Sequence, residues 1–408
     1  MAETTVPRKK YLERLIAWRE KAVIKVITGV RRCGKSTLLS QYMDYLRTSG
    51  VGGNRIISVN LEDPEYRDLL TGDSLYGYIK QRLNKKAWTY VFIDEAQQCV
   101  EFERAVDGLF IQKNVDLYIT GSNAYMLSGE LATLLSGRYV ELSMLPLSFA
   151  EYAGFTRAFR NRARAFNTYL QYGAFPYVAV LQSGFAGSQD TLIRTYIEGI
   201  YNTILIKDAA RREQIRDTGV LEDIVRFLCS AIGSPVSAKN IVNTLNSGGR
   251  KISANTVEGY LRALRESFIF YKINRFDIKG KERLKTLGKY YIVDTGIRNL
   301  LLAGSSADLG HLLENVICLE LLRRGFKVNI GKVGEKEVDF TVQGPDGTAY
   351  YQAAASALDP ATLERELGPL RKIRDNHPKY LLTLDEYMSG ANYDGIRRIN
   401  AVEWLLGQ

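Results

Sequence analysis

The chain has 408 residues, 46% of them hydrophobic and 25% charged, with Lys+Arg 55 against Asp+Glu 45 and a formal net charge of +10. That length calls for about two or three domains with ample material for buried cores, and the positive balance favours polyanionic partners. Four scattered cysteines (Cys33, Cys99, Cys229, Cys318) and two histidines exclude a disulfide framework or a zinc site, and no apolar run is long enough to span a bilayer, so a cytoplasmic location without a membrane partner is expected.

In chain order, residues 10–21 read as a short amphipathic helix, and the β-branched apolar run 22–27 as a buried parallel strand. Next comes Gly29-Val30-Arg31-Arg32-Cys33-Gly34-Lys35-Ser36-Thr37, which fits the phosphate-loop pattern G-x-x-x-x-G-K-S without departure. Gly29 and Gly34 permit backbone conformations that turn successive N–H groups toward a phosphate. Lys35 suits the β- and γ-phosphates, Ser36 suits Mg²⁺, and the helix that follows adds its positive end. Strand, loop and helix in that order point to a nucleoside triphosphate. Cys33 inside the loop is expected to be an oxidation liability suited to a reducing cytosol.

Residues 54–61 read as a second strand, 75–84 as a helix and 90–97 as an apolar strand ending in Asp94-Glu95. An acid at the end of a buried strand beside the loop suits Mg²⁺ (Asp94), and its neighbour Glu95 suits a general base acting on water. A further strand over 115–123 places Thr120, Ser122 and Asn123 where they can sense the γ-phosphate or the lytic water; a polar turn after a strand is the plainer alternative. Arg138, just before the strand-like stretch 139–142, is a candidate to complete a neighbouring subunit's site, with Arg31 and Arg32 as competing phosphate contacts.

Taken together, the loop from Gly29 to Thr37, Ile93-Asp94-Glu95, Thr120-Gly121-Ser122-Asn123, Ser136-Gly137-Arg138 and Leu145-Pro146-Leu147-Ser148-Phe149 resemble the prokaryotic AAA+-type ATPases that carry a C-terminal domain of unknown function. The resemblance implies an α/β fold with a P-loop NTPase core over 1–151, ATP and Mg²⁺ at Lys35, Ser36 and Asp94, hydrolysis through Glu95, and Ser122 or Asn123 as sensor. It also implies a homo-oligomer, with a hexamer favoured if Arg138 acts in trans.

Residues 152–218 turn helical and resemble the lid of such proteins; the basic run Arg157, Arg160, Arg162 and Arg164 suits nucleic acid or simply a solvated face. Lys207-Asp208 and Arg211-Arg212 resemble a motif of the same family whose role the residues do not reveal. Over 219–299, three helical stretches and a basic hairpin resemble a winged helix-turn-helix, with Arg250, Lys251, Asn255 and Arg262 on the third helix side and Lys279, Lys281 and Lys285 in the wing as DNA-binding candidates. Over 300–408, a helix carrying Glu314, a strand carrying Asp339 and a third strand follow the metal-site plan of restriction-type nucleases. Gln352 stands where that plan has a second carboxylate and Ala354 where it has a lysine, so an inactive nuclease-like domain is expected. The expectation for the whole is an ATP-hydrolysing protein that translocates on or remodels duplex or branched DNA. The alternative is a nucleotide-gated signalling or defence switch with a protein partner.

Overall fold

The computed structural model describes residues 5–127, 137–184, 189–210, 215, 217–280, 282–302 and 308–407. The chain divides into two compact units, one of Met1–Pro146 with Glu266–Phe268 and one of Leu147–Arg265 with Ile269–Gln408. Among the described residues no helix is long and apolar enough to cross a membrane.

The first unit is a five-stranded parallel sheet of β1 (Ile24–Thr28), β2 (Ile56–Asn60), β3 (Thr89–Asp94), β4 (Val115–Gly121) and β5 (Tyr139–Ser143), in the order β2-β3-β4-β1-β5. Every residue of β1 and of β3 is buried, as strands covered on both faces require, which is why both read as continuous apolar runs. Val26, Val59, Val91, Ile93, Leu117 and Ile119 form the core with Leu75 and Ile79 of the helix Gly72–Lys80 and Val106 and Leu109 of the helix Phe102–Phe110. β4 lies between β1 and β3, with Ile27 opposite Thr120 and Ile93 opposite Ile119. The parallel arrangement gathers the ends of β1, β3 and β4 on one side, where open α/β sheets present their sites.

The second unit opens with the helix Phe149–Phe155, held at its start by a reciprocal capping box between Ser148 and Glu151. Helices Arg162–Tyr172, Pro176–Gly184 and Asp190–Thr203 follow, and the last runs into a π-helical segment, Ile204–Ala210. Gly173 is left-handed, and a Cβ there would lie 2.1 Å from Asp294 Oδ1, so only glycine lets this turn approach that buried carboxyl. Asp294 accepts from Ala174 N at 2.6 Å and caps the helix Thr295–Leu301 through Gly296 N at 2.9 Å.

Helices Thr218–Ser230, Ala238–Ser247 and Ala254–Glu266 come next, the second capped by Ser237, whose side chain accepts from Asn240 N. The rest of this unit is built on a nine-stranded sheet: β6 (Pro235–Val236), β7 (Phe270–Asp277), β8 (Glu282–Ile292), β9 (Lys327–Val333), β10 (Lys336–Gly344), β11 (Gly347–Ala354), β12 (Lys379–Thr383), β13 (Asn392–Tyr393) and β14 (Ile396–Asn400). Its order is β13-β14-β12-β11-β10-β9-β7-β8-β6. The hairpin expected as a wing is therefore not free-standing: Arg275, Phe276 and Asp277 of β7 pair in parallel with Ile330, Gly331 and Lys332 of β9. From the helix Leu309–Arg323 onward the chain makes three antiparallel strands (β9, β10, β11), a helix (Pro360–Arg371) and then β12 parallel to β11.

Candidate functional site

The helix Lys35–Thr48 starts directly on the phosphate loop. Gly34, its N-cap, is left-handed (φ 103, ψ 24) and supplies no side chain, and no acidic residue occupies the first turn. Neither the N-cap nor an acid of the first turn therefore takes up its leading N–H groups, which fits a phosphate group at this end. Gly29 cannot be replaced cheaply, since a Cβ there would lie 2.1 Å from the Met144 carbonyl oxygen. Arg8, almost fully buried, braces the loop from beneath, donating to Cys33 O at 2.8 Å and to Leu145 O at 2.7 Å.

Lys35 Nζ donates to Gly29 O at 3.0 Å and lies 3.5 Å from Glu95 Oε1. Thr120 of β4 links the two acids at the end of β3: its hydroxyl donates to Asp94 Oδ1 and accepts from Glu95 N at 3.0 Å. Ser122 Oγ donates to Glu95 Oε2 at 3.0 Å, and Gln97 Nε2 donates to the same oxygen. Burial pushes the Asp94 carboxyl up, opposed by hydrogen bonds from Thr120 and Ser36. Burial acts on Glu95 the same way, but the Lys35 ammonium, Gln97, Arg31 and Ser122 outweigh it and hold Glu95 below the usual range. Two adjacent carboxylates are thereby set apart, one bonded to Ser36 and one to Lys35. Glu95 and Arg32 are both non-glycine residues in the left-handed region (φ 52 and φ 67), a strain that clusters at functional sites.

The loop, Asp94, Glu95 and Ser122 are thus brought together as the sequence predicts, and Asn123 is buried at the end of β4. Arg31 is turned to Glu62 at 2.8 Å. Cys33 is corrected: its side chain is fully buried and burial pushes the thiol up, so it is not the oxidation liability expected. Gln97, Thr120 as the double link and Arg8 are the contributors that sequence reasoning missed or left undecided; Gln97 had a local signal, a polar residue two places beyond the acid pair. Arg138 is exposed and bonded to Asp107 at 2.7 Å.

Of the DNA candidates, Lys251, Asn255, Arg262 and Lys279 are exposed. Arg250 is paired with Asp223 at 3.1 Å and lies 3.9 Å from Asp217, which lowers its free charge. Lys281, Arg211, Arg212 and Ser136 lie outside the described residues, as do the side chains of Lys285 and Lys207.

A second charged cluster forms in the nine-stranded sheet. Asp339 N donates to Gln352 Oε1 at 3.2 Å, and Ala353 N donates to Asp339 Oδ2 at 2.9 Å. Gln352 Nε2 donates to Glu366 Oε2 at 2.9 Å. Glu314 joins through Lys289, a residue the sequence reading passed over: Lys289 Nζ lies 3.0 Å from Glu314 Oε1, 2.7 Å from Glu337 Oε1 and 3.9 Å from Asp339 Oδ1. Burial works against the Lys289 charge, but Glu314, Asp339 and Glu337 outweigh it and raise its pKa; burial, and then Glu314, pushes Asp339 well up.

Residues 21–153 match the family described as AAA domain, and 163–308 match a Domain of unknown function, DUF8612. An uncharacterized protein of Haemophilus influenzae is 38% identical over 410 residues, spanning 100% of both chains. An uncharacterized protein of Methanocaldococcus jannaschii is 30% identical over 336 residues, covering 79% of this chain and 72% of that one. Among solved structures, a Walker-type ATPase of Pyrococcus abyssi is alike in fold, with a TM-score of 0.52 at 15% identity over 73% of this chain and 96% of that chain.

Proposed function

Because this chain belongs to the family of its full-length Haemophilus influenzae relative and carries an AAA-type P-loop ATPase fold in its first unit, we propose that it hydrolyses ATP and spends the energy on DNA. The observation that carries the reading is the convergence of Lys35, Ser36, Asp94, Glu95 and Ser122 at the ends of neighbouring strands.

Ser36 and Asp94 would hold Mg²⁺, which when bound supplies positive charge against the developing charge of the transferred phosphoryl group. The uncapped N–H groups at the start of the helix Lys35–Thr48 orient the triphosphate, and Lys35 exchanges its contacts to Gly29 O and Glu95 for phosphate oxygens. Glu95, held ionised by its neighbours, takes a proton from the attacking water. Ser122 fixes the carboxylate that does so, and Asn123 stands beside it as the sensor candidate.

Action on DNA is supported by the net charge of +10, by the exposed Lys251, Asn255 and Arg262 before and along the helix Ala254–Glu266, and by the exposed Lys279 in the turn between β7 and β8. Arg138, exposed and bonded to Asp107 at 2.7 Å, is the proposed donor to a neighbouring subunit in a homo-oligomer, a hexamer by preference, and would have to leave Asp107 to act there. Residues 300–408 are proposed as a nuclease-like fold that binds without cutting, on the strength of Gln352 and Ala354 in the third strand. A nucleotide-gated switch acting through a protein partner is the second reading. It is favoured by the pairing of β7 with β9, which ties down the hairpin that a winged DNA reader would leave free.

Turnover measured against single-stranded, duplex and four-way DNA tests the proposal. The DNA motor predicts stimulation by at least one form; unchanged turnover with all of them leaves the switch. Mixing Arg138→Ala with Glu95→Gln chains tests the oligomer, since complementation requires a site shared between subunits.

A further inference from the structure

Lys289 lies in mid-strand, opposite Ile273 on one side and Pro235 on the other, so its backbone is paired on both edges of β8. Its side chain is 3% exposed and ends among three carboxylates, touching Glu314 and Glu337 at hydrogen-bond distance. Tyr291, two residues on and therefore on the same face, donates to Glu314 Oε1 at 2.6 Å. On the far side a Cβ at Gly233 would lie 2.7 Å from Glu314 Oε2, so backbone closes over the glutamate there. The two residues absent from the nuclease plan are accounted for in the same place. Gln352 uses its amide on Asp339 N and Glu366, so a carboxylate at that position would face Glu366 as a like charge.

We propose that the Lys289 ammonium is the resident cation of this cluster, filling the place that a divalent ion would take among Glu314, Glu337 and Asp339. The proposal rests on the reading of residues 300–408 as a nuclease-like fold that does not cut, and it adds what occupies the old metal position. A hydrated divalent ion and a lysine head group compete for the same carboxylate oxygens, and direct contacts at 2.7 and 3.0 Å leave no layer of water between ammonium and acid. The tethered cation needs no free ion and is present as soon as the sheet forms. Taking it away while leaving the acids creates a divalent site where the native chain has none, and restoring a carboxylate at position 352 alone does not.

The test uses the full chain without nucleotide, with Mn²⁺ as the probe and unfolding temperature and bound Mn²⁺ as readouts. The native chain is expected to be unmoved by Mn²⁺ at this cluster, so Asp339→Asn leaves its Mn²⁺ binding unchanged. Lys289→Ala is expected to melt lower in chelator, to bind one more Mn²⁺ per chain than native, and to regain about 5 °C at saturating Mn²⁺. Lys289→Gln keeps the length and a donor, and is read in the same way if Lys289→Ala does not fold. Adding Asp339→Asn to either variant should abolish the gain. A folded Lys289 variant that binds no more Mn²⁺ than native overturns the inference, as does Mn²⁺ binding by the native chain that Asp339→Asn removes. Plasmid cleavage by the native chain that Lys289→Ala abolishes would instead sink the non-cutting reading beneath it, and would make Lys289 a catalytic residue.

Discussion

In the first unit Lys35 lies 3.5 Å from Glu95; in the second, Lys289 lies 3.0 Å from Glu314 and 2.7 Å from Glu337. Both are buried lysine–carboxylate clusters, yet their backbones differ. Lys35 opens a helix whose leading N–H groups have no side-chain cap, on a loop with Gly29 and Gly34 at positive φ. Lys289 sits in a strand whose neighbours already take up its backbone groups, and its head group is saturated by acids. The contrast teaches that charge alone does not make a binding site. Unused backbone donors and a lysine able to change partners make one, whereas the same charges without them make an internal tie.

The largest effect expected is at the first cluster. Lys35→Ala should lower ATP turnover about 10³-fold or more, measured as phosphate release at saturating Mg²⁺ and ATP. If it instead cost mainly stability, the two clusters would be the same kind of object. At the second cluster the expectation is reversed: Lys289→Ala should destabilise the chain by roughly 3–5 kcal/mol in chelator, because Glu314 and Glu337 lose the ammonium they contact. Urea unfolding reads this, and a loss below about 1 kcal/mol would mean the cluster is solvated.

Asp294 sharpens the comparison by showing a buried carboxyl served by backbone N–H groups. Burial raises it to about 6, against the opposing pull of Ala174, Ile297, Gly296 and Phe175 N–H groups. Since the folded value lies above the unfolded 3.8, its stabilising share is full below about pH 4 and is lost as pH rises through about 6. The native chain should therefore gain about 1 kcal/mol over Asp294→Asn between pH 7.5 and pH 5 in paired unfolding curves. A gap that stays constant with pH contradicts this.

Which features are legible in the sequence follows from how local each one is. The loop from Gly29 to Ser36 with its strand and helix, and the acids Asp94 and Glu95 at the end of an apolar run, are contiguous patterns, and they meet as expected. The insertion of β4 between β1 and β3, which lets Thr120 bind both acids, depends on strand order and leaves no local mark. The pairing of β7 with β9 joins segments separated by more than fifty residues, so the hairpin showed only its wing-like pattern and not its place in the larger sheet. Lys289 did carry a signal, a lone charge within the apolar stretch around Tyr290, Tyr291 and Ile292, but its partners Glu314, Glu337 and Asp339 become visible only in the folded sheet. Arg8 is hidden likewise, since its acceptors are Cys33 O and Leu145 O.

Single-turnover hydrolysis by Glu95→Gln beside the native chain tests the central claim most directly, because Glu95 is the group assigned to proton transfer from the attacking water and not to holding nucleotide. The account predicts that the variant still binds Mg²⁺-ATP while its rate of phosphate release falls about 10²-fold or more. Release at the native rate by a variant that binds ATP normally would contradict it.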